Sequence, residues 1–71
     1  MPLVQLKGVS GFLSDEQKTQ LVEKITDAVA SVEGEGIRQV TWVIIDDVPE
    51  GQWGVAGQMV TLDFLRKLSM S

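Results

Sequence analysis

Apolar and polar positions alternate from the first residues of the chain: in PLVQLKGV, Leu3, Val4 and Leu6 are interleaved with Gln5 and Lys7, and the run ends in the glycine-containing GVSGFL. A short β-prone run bounded by glycine predicts a strand. The period then changes. Over SDEQKTQLVEKITDAVASVEG, Leu21, Val22, Ile25, Ala28, Val29 and Val32 recur at helical spacing, leaving Lys18, Glu23, Lys24 and Asp27 toward water. Ser14, with Gln17 three residues on, has the reciprocal capping-box pattern, Asp15 and Glu16 suit the positive end of the helix dipole, and Gly34 supplies the stop.

In IRQVTWVIIDD, Val40 to Ile45 form a continuous apolar and β-branched run, which predicts a second strand covered on both faces. Strand, helix and strand in this order predict a βαβ unit with two parallel strands and a right-handed crossover. Pro49 and Gly51 bring turn chemistry, GQWGVAG predicts a hairpin or irregular loop, and Thr61 is placed to cap a short last helix carrying Leu62, Leu65 and Leu68, with Phe64 and Met70 blurring its apolar face. The expected architecture is one α+β domain over residues 1–71, without internal repeat, linker or low-complexity segment.

That unit does not close on itself. A chain of 71 residues buries only about 60% of its unfolded surface, and two strands with one helix leave a sheet face and both edges open. Small domains are supplemented by disulfides, metals or association. With Cys 0 and His 0, association remains, and the usual zinc sites, thiol nucleophiles, Ser-His-Asp triads and imidazole bases are excluded. The net charge of -4 and the scattered Lys7, Lys18, Lys24, Arg38, Arg66 and Lys67 argue against a nucleic-acid partner. The absence of a long apolar run or a signal-peptide pattern argues against a membrane span and for the cytoplasm. GQWGVAG lacks the strand-to-helix setting of a dinucleotide fingerprint, and no cofactor is expected.

Chemistry must then run on carboxylates, lysines or the chain terminus. Methionine ahead of a small residue is normally trimmed, which would leave Pro2 with a free secondary amine. A terminal amine has a reference pKa of ~8, and an apolar cavity or nearby positive charge lowers it, giving a general base near neutral pH. Where Met1 is retained, the Pro2 nitrogen is an amide without a basic lone pair. The structural alternative for Pro2 is an ordinary first strand position.

The initial Met-Pro, the strand, SDEQK opening the helix, VIIDDVP in the second strand and GQWGVAG near the end, in this order up to about Gly57, resemble the 4-oxalocrotonate tautomerase family. The resemblance implies a β-α-β subunit with a catalytic amino-terminal proline, dimers built around a four-stranded sheet, and a hexamer of three such dimers. It implies tautomerisation of a small enol, keto or unsaturated carboxylic acid. Related enzymes that keep the proline protonated act as hydratases or dehalogenases. Family tautomerases hold their substrate with an arginine just before the SDEQK-like segment and another in the second strand; here those positions are Leu13 and Trp42. Lys7 and Arg38 are the candidate substitutes, against their ordinary reading as solvated surface charges. Trp53 matches the family's aromatic wall residue, with interface packing as its alternative role. Asp46 and Asp47 read as a solvated turn rather than an acid/base dyad. The site expected is therefore Pro2 as catalyst with Trp53, Arg38, Lys7, Trp42 and Leu13 around the substrate, in a homo-oligomer. The competing reading is a non-catalytic subunit of a homo-oligomer or the partner of an unlike chain.

Overall fold

Two parallel strands form the centre of the subunit. In the computed structural model, which describes residues 1–70, β1 (Leu3–Val9) pairs with β2 (Trp42–Val48) in a register running from Leu3 opposite Trp42 to Val9 opposite Val48. The connection is α1 (Asp15–Glu33) followed by a 3-10 segment over Glu35–Val40. A two-residue hairpin ladder, β3 (Gly54–Val55) with β4 (Gln58–Met59), and a short helix α2 (Leu62–Ser69) complete the chain.

Local chemistry sets these boundaries. The Ser14 side chain accepts from the Gln17 N–H (3.1 Å) and the Ser14 N–H donates to Gln17 Oε1 (2.9 Å), so the capping box is closed. Gly34 ends α1 at a φ of 116°, a conformation open to glycine at little steric cost. Thr61 accepts from the Phe64 N–H (3.2 Å) and starts α2 as its sequence predicts. Ser14→Ala is expected to cost about 1 kcal/mol, read as a lower thermal midpoint at fixed protein concentration.

The second strand begins later than the apolar run does. Val40 belongs to the 3-10 segment, where the Thr41 hydroxyl donates to Ile37 O (2.8 Å), and β2 extends through Asp46 and Asp47 to Val48. Both aspartates therefore lie in the sheet rather than in a turn. Lys7 on β1 approaches Asp46 at 3.5 Å, and Lys18 on α1 bonds Asp47 at 2.8 Å. The Asp47 bond holds the Lys18 ammonium above its ordinary pKa. Because the folded state binds this proton more tightly, the pair stabilises the protein through neutral pH, and its contribution disappears only as the pH rises through the raised lysine value. Lys18→Met should therefore lower the thermal midpoint slightly at pH 7 and have a smaller effect in strongly alkaline buffer.

Strand alternation divides the sheet into two unlike faces. Val4, Leu6, Val43 and Ile45 are half-buried on the side where Asp47 meets α1, while Leu3, Gln5, Trp42 and Ile44 are exposed on the other. β2 is thus covered on one face only within a subunit. Among the described residues only Val9, Ala30 and Val60 are buried hydrophobics. Helical spacing also assigns Val22, Ala28 and Val32 to the core, yet all three are exposed, Val32 at 85%. A sheet of two strands is too narrow to cover the whole apolar side of a 19-residue helix.

The dimensions agree. The radius of gyration is 14.6 Å, against about 11 Å for a compact chain of this length. The accessible surface is 5294 Å², about 900 Å² more than a monomer of this mass presents. That excess is close to one partner's share of a standard protein interface, ~800 Å². A surface of this kind is one that association covers.

Candidate active site

At Val9 the strand gives way to a turn in which the Phe12 N–H donates to Val9 O (3.3 Å) and Gly11 takes a φ of 89°. The turn carries Leu13 back beside the end of β1. From the other side, Trp53 leaves a short 3-10 turn (Glu50–Gln52), and its carbonyl accepts from the buried Val60 N–H at 2.8 Å. These constraints leave a groove of about 370 Å³ between the C-terminal half of β1, the hairpin and α2. Lys7, Val9, Leu13 and Trp53 line it together with Phe64 and Leu65.

Its electrostatics are simple: Lys7 is the one charged residue in the lining. The Lys7 ammonium is largely exposed, and its 3.5 Å pairing with Asp46 is that of a weak surface pair. It can be diverted to an incoming anion at small cost. Among the described residues no group of His, Cys, Asp or Glu is arranged to hold a metal ion.

Three of the six residues expected around the substrate, Lys7, Leu13 and Trp53, therefore meet in one groove. The other three do not join them within a subunit. Pro2 stands at the head of β1, where its carbonyl accepts from the Trp42 N–H (3.0 Å). At ~3.3 Å per strand residue it lies about 16 Å from Lys7. Trp42 is the cross-strand partner of Leu3, the residue after Pro2, and is exposed. Arg38 is in the 3-10 segment rather than at the start of β2, and bonds Glu35 through Nε and Asp27 through Nη1, both at 2.6 Å. The Glu35 bond first, and then the Asp27 bond, raise the guanidinium pKa further above its ordinary value. Arg38 is thereby engaged in tying the crossover to α1.

Phe64 and Leu65 are among the lining residues that the sequence does not assign to the site. The cap at Thr61 announces the helix, but where that helix lies depends on the Leu62 N–H donating to Glu50 Oε2 (2.6 Å), a bond between residues twelve apart. The negative carboxylate also suits the positive end of α2.

No helix among the described residues is long and apolar enough to cross a membrane. The family described as "Tautomerase enzyme" matches residues 2–63. A probable tautomerase of Staphylococcus aureus (strain Mu50) is 42% identical over 57 residues, covering 80% of this chain and 90% of its own. The crystal structure of apo unfused 4-oxalocrotonate tautomerase superposes with a TM-score of 0.75 at 34% identity, over 83% of this chain and 93% of its own. TomN, a 4-oxalocrotonate tautomerase homologue in the tomaymycin biosynthetic pathway, is similar over 99% of this chain and 100% of its own, with a TM-score of 0.76 at 26% identity. With the parallel β-α-β core, the hairpin and the amino-terminal proline motif all in their expected order, the chain belongs to the 4-oxalocrotonate tautomerase family of the tautomerases.

Proposed function

We propose that this protein is a cytoplasmic keto-enol tautomerase that uses the Pro2 nitrogen, freed by removal of Met1, as general base on a small enol, keto or unsaturated carboxylic acid. The observation that carries the reading is the placement of Pro2 and the groove at opposite ends of the same strand. The edge of β1 away from β2 has no strand partner among the described residues. Antiparallel pairing of two such edges about a twofold axis sets the start of each strand beside the end of the other. Pro2 of one copy then comes to the Lys7, Leu13 and Trp53 groove of its partner, and the dimer has a four-stranded sheet. Three such dimers, packed through the exposed sheet faces, would make a hexamer.

In that arrangement Trp53 and Leu13 desolvate the amine and favour its neutral form. Lys7 meets the substrate carboxylate. The nitrogen takes the proton from the enol hydroxyl, the electron pair moves through the conjugated system, and the resulting pyrrolidinium returns the proton to carbon. Substrate and product are isomers, so the reaction consumes no oxidant or co-substrate. The test begins with the intact mass of the native protein: a mass lacking one methionine is expected. Retention of Met1 would end the proline-base reading, because an amide nitrogen cannot take the proton.

A further inference from the structure

The groove differs from what a dicarboxylate requires. Both positions at which the family resemblance implies arginines are apolar here, and one of them, Leu13, lies in the groove lining, where Lys7 is the sole cation. A second carboxylate would sit against Leu13, Trp53 and Val9 with no second cation in the subunit's lining to neutralise it. At the far side the wall comes from α2, through Phe64 and Leu65, beyond the stretch of residues 2–63 that matches the family. Phe64 also lines a second apolar cavity of about 380 Å³ with Met59, and Val55, Val60 and Phe64 are common to both hollows. α2 is fixed at its start by the Glu50 carboxylate on the Leu62 N–H and by the Thr61 cap on the Phe64 N–H. The Glu50 bond ties the wall to the 3-10 turn that precedes Trp53.

We infer that the groove takes a monocarboxylic acid with an apolar, aromatic or branched alkyl tail, its carboxylate at Lys7 and its tail against Trp53 and the α2 wall of Phe64 and Leu65. The volume of about 370 Å³ is at the small end of ligand sites, ~300–1,000 Å³, and admits a tail of benzyl size. This specificity rests on the proposed site, with Pro2 supplied by a second copy, but it concerns only what the groove binds.

The deciding experiment is a calorimetric titration of the native oligomer with 3-phenylpropionate and with succinate, neither of which can enolise under these conditions. 3-Phenylpropionate is expected to bind at least tenfold more tightly than succinate. Phe64→Ala should weaken 3-phenylpropionate about tenfold, the scale set by losing one apolar contact surface in a pocket, and Phe64→Leu should restore most of it. Phe64 is 54% exposed, so the truncation leaves the fold standing, which an unchanged thermal midpoint would verify. Lys7→Gln should weaken both acids. Succinate binding as tightly as 3-phenylpropionate, or a Phe64→Ala affinity equal to that of the unaltered protein, would overturn the inference. Because the titration involves no proton transfer by Pro2, it separates the two ideas: an unaltered protein that binds 3-phenylpropionate but does not turn over enol acids defeats the base, and one that turns over enol acids but does not bind 3-phenylpropionate defeats the apolar-tail specificity.

Discussion

Pro2→Ala is expected to lower turnover of an enol acid, by at most the ~10²–10⁴-fold that a positioned general base contributes, while the Michaelis constant changes little. The alanine variant keeps a terminal amine after methionine removal, so the comparison isolates what the pyrrolidine ring adds. The ring fixes the nitrogen lone pair relative to β1, whose ladder begins with the Trp42 N–H on the Pro2 carbonyl at 3.0 Å. A primary amine at the same position rotates freely about its N–Cα bond and loses the alignment that makes an intramolecular base effective. Binding through Lys7 and Trp53 would be unaffected, which is why the loss should fall on kcat. The loss of enol absorbance with time measures the rate. Turnover in the alanine variant equal to that of the unaltered protein would remove Pro2 from the chemistry, and no turnover by either would leave a non-catalytic subunit as the reading to pursue. A preparation that retains Met1 supplies the complementary control, since its proline nitrogen is an amide and its rate should be as low as that of Pro2→Ala or lower.

The parts of this fold that were legible in the sequence are those decided within a few residues. Ser14 with Gln17, Gly34, and Thr61 fix the ends of α1 and α2 by local hydrogen bonds and backbone freedom, and the alternation of β1 places Leu3 and Val4 on opposite faces. The displaced start of β2 was not legible, because Val40 is kept out of the strand by a segment anchored through Arg38 to Asp27, eleven residues away. Asp46 and Asp47 look like turn residues because nothing nearby in sequence pairs with them; Lys7 and Lys18 do so from 39 and 29 residues away. The site divides in the same way. Residues next to a motif, such as Leu13 before SDEQK and Trp53 in GQWGVAG, could be located from the family resemblance, and they meet Lys7 in the groove. Phe64 and Leu65 line that groove from α2, whose start is bonded to Glu50 twelve residues earlier, a contact that periodicity does not encode.

Ile44→Lys is the other substitution for which a large effect is expected, and its size depends on whether the exposed sheet face is covered. In an isolated subunit Ile44 is 37% exposed beside Trp42 and Leu3, and a lysine there would keep its ammonium in water. The cost would be no more than the ~1 kcal/mol span of strand preference. If three dimers bury their open faces against one another, the same lysine places an unpaired charge in every interface, at several kcal/mol per subunit. Sedimentation of the unaltered protein should then report a single oligomer whose thermal midpoint rises with protein concentration, and the variant should sediment as dimers or smaller species with a midpoint many degrees lower. A variant that assembles and melts like the unaltered protein would show that the face remains in water. That outcome would leave the edge pairing of β1, and with it the approach of Pro2 to the partner's groove, untouched. The two levels of assembly rest on different surfaces: the edge of β1 is a row of unpaired backbone groups whose pairing is indifferent to the side chain at position 44, whereas Leu3, Trp42 and Ile44 offer only apolar area. Dissociation of the variant to dimers that still turn over enol acids would therefore assign catalysis to the strand edge and stability to the sheet face.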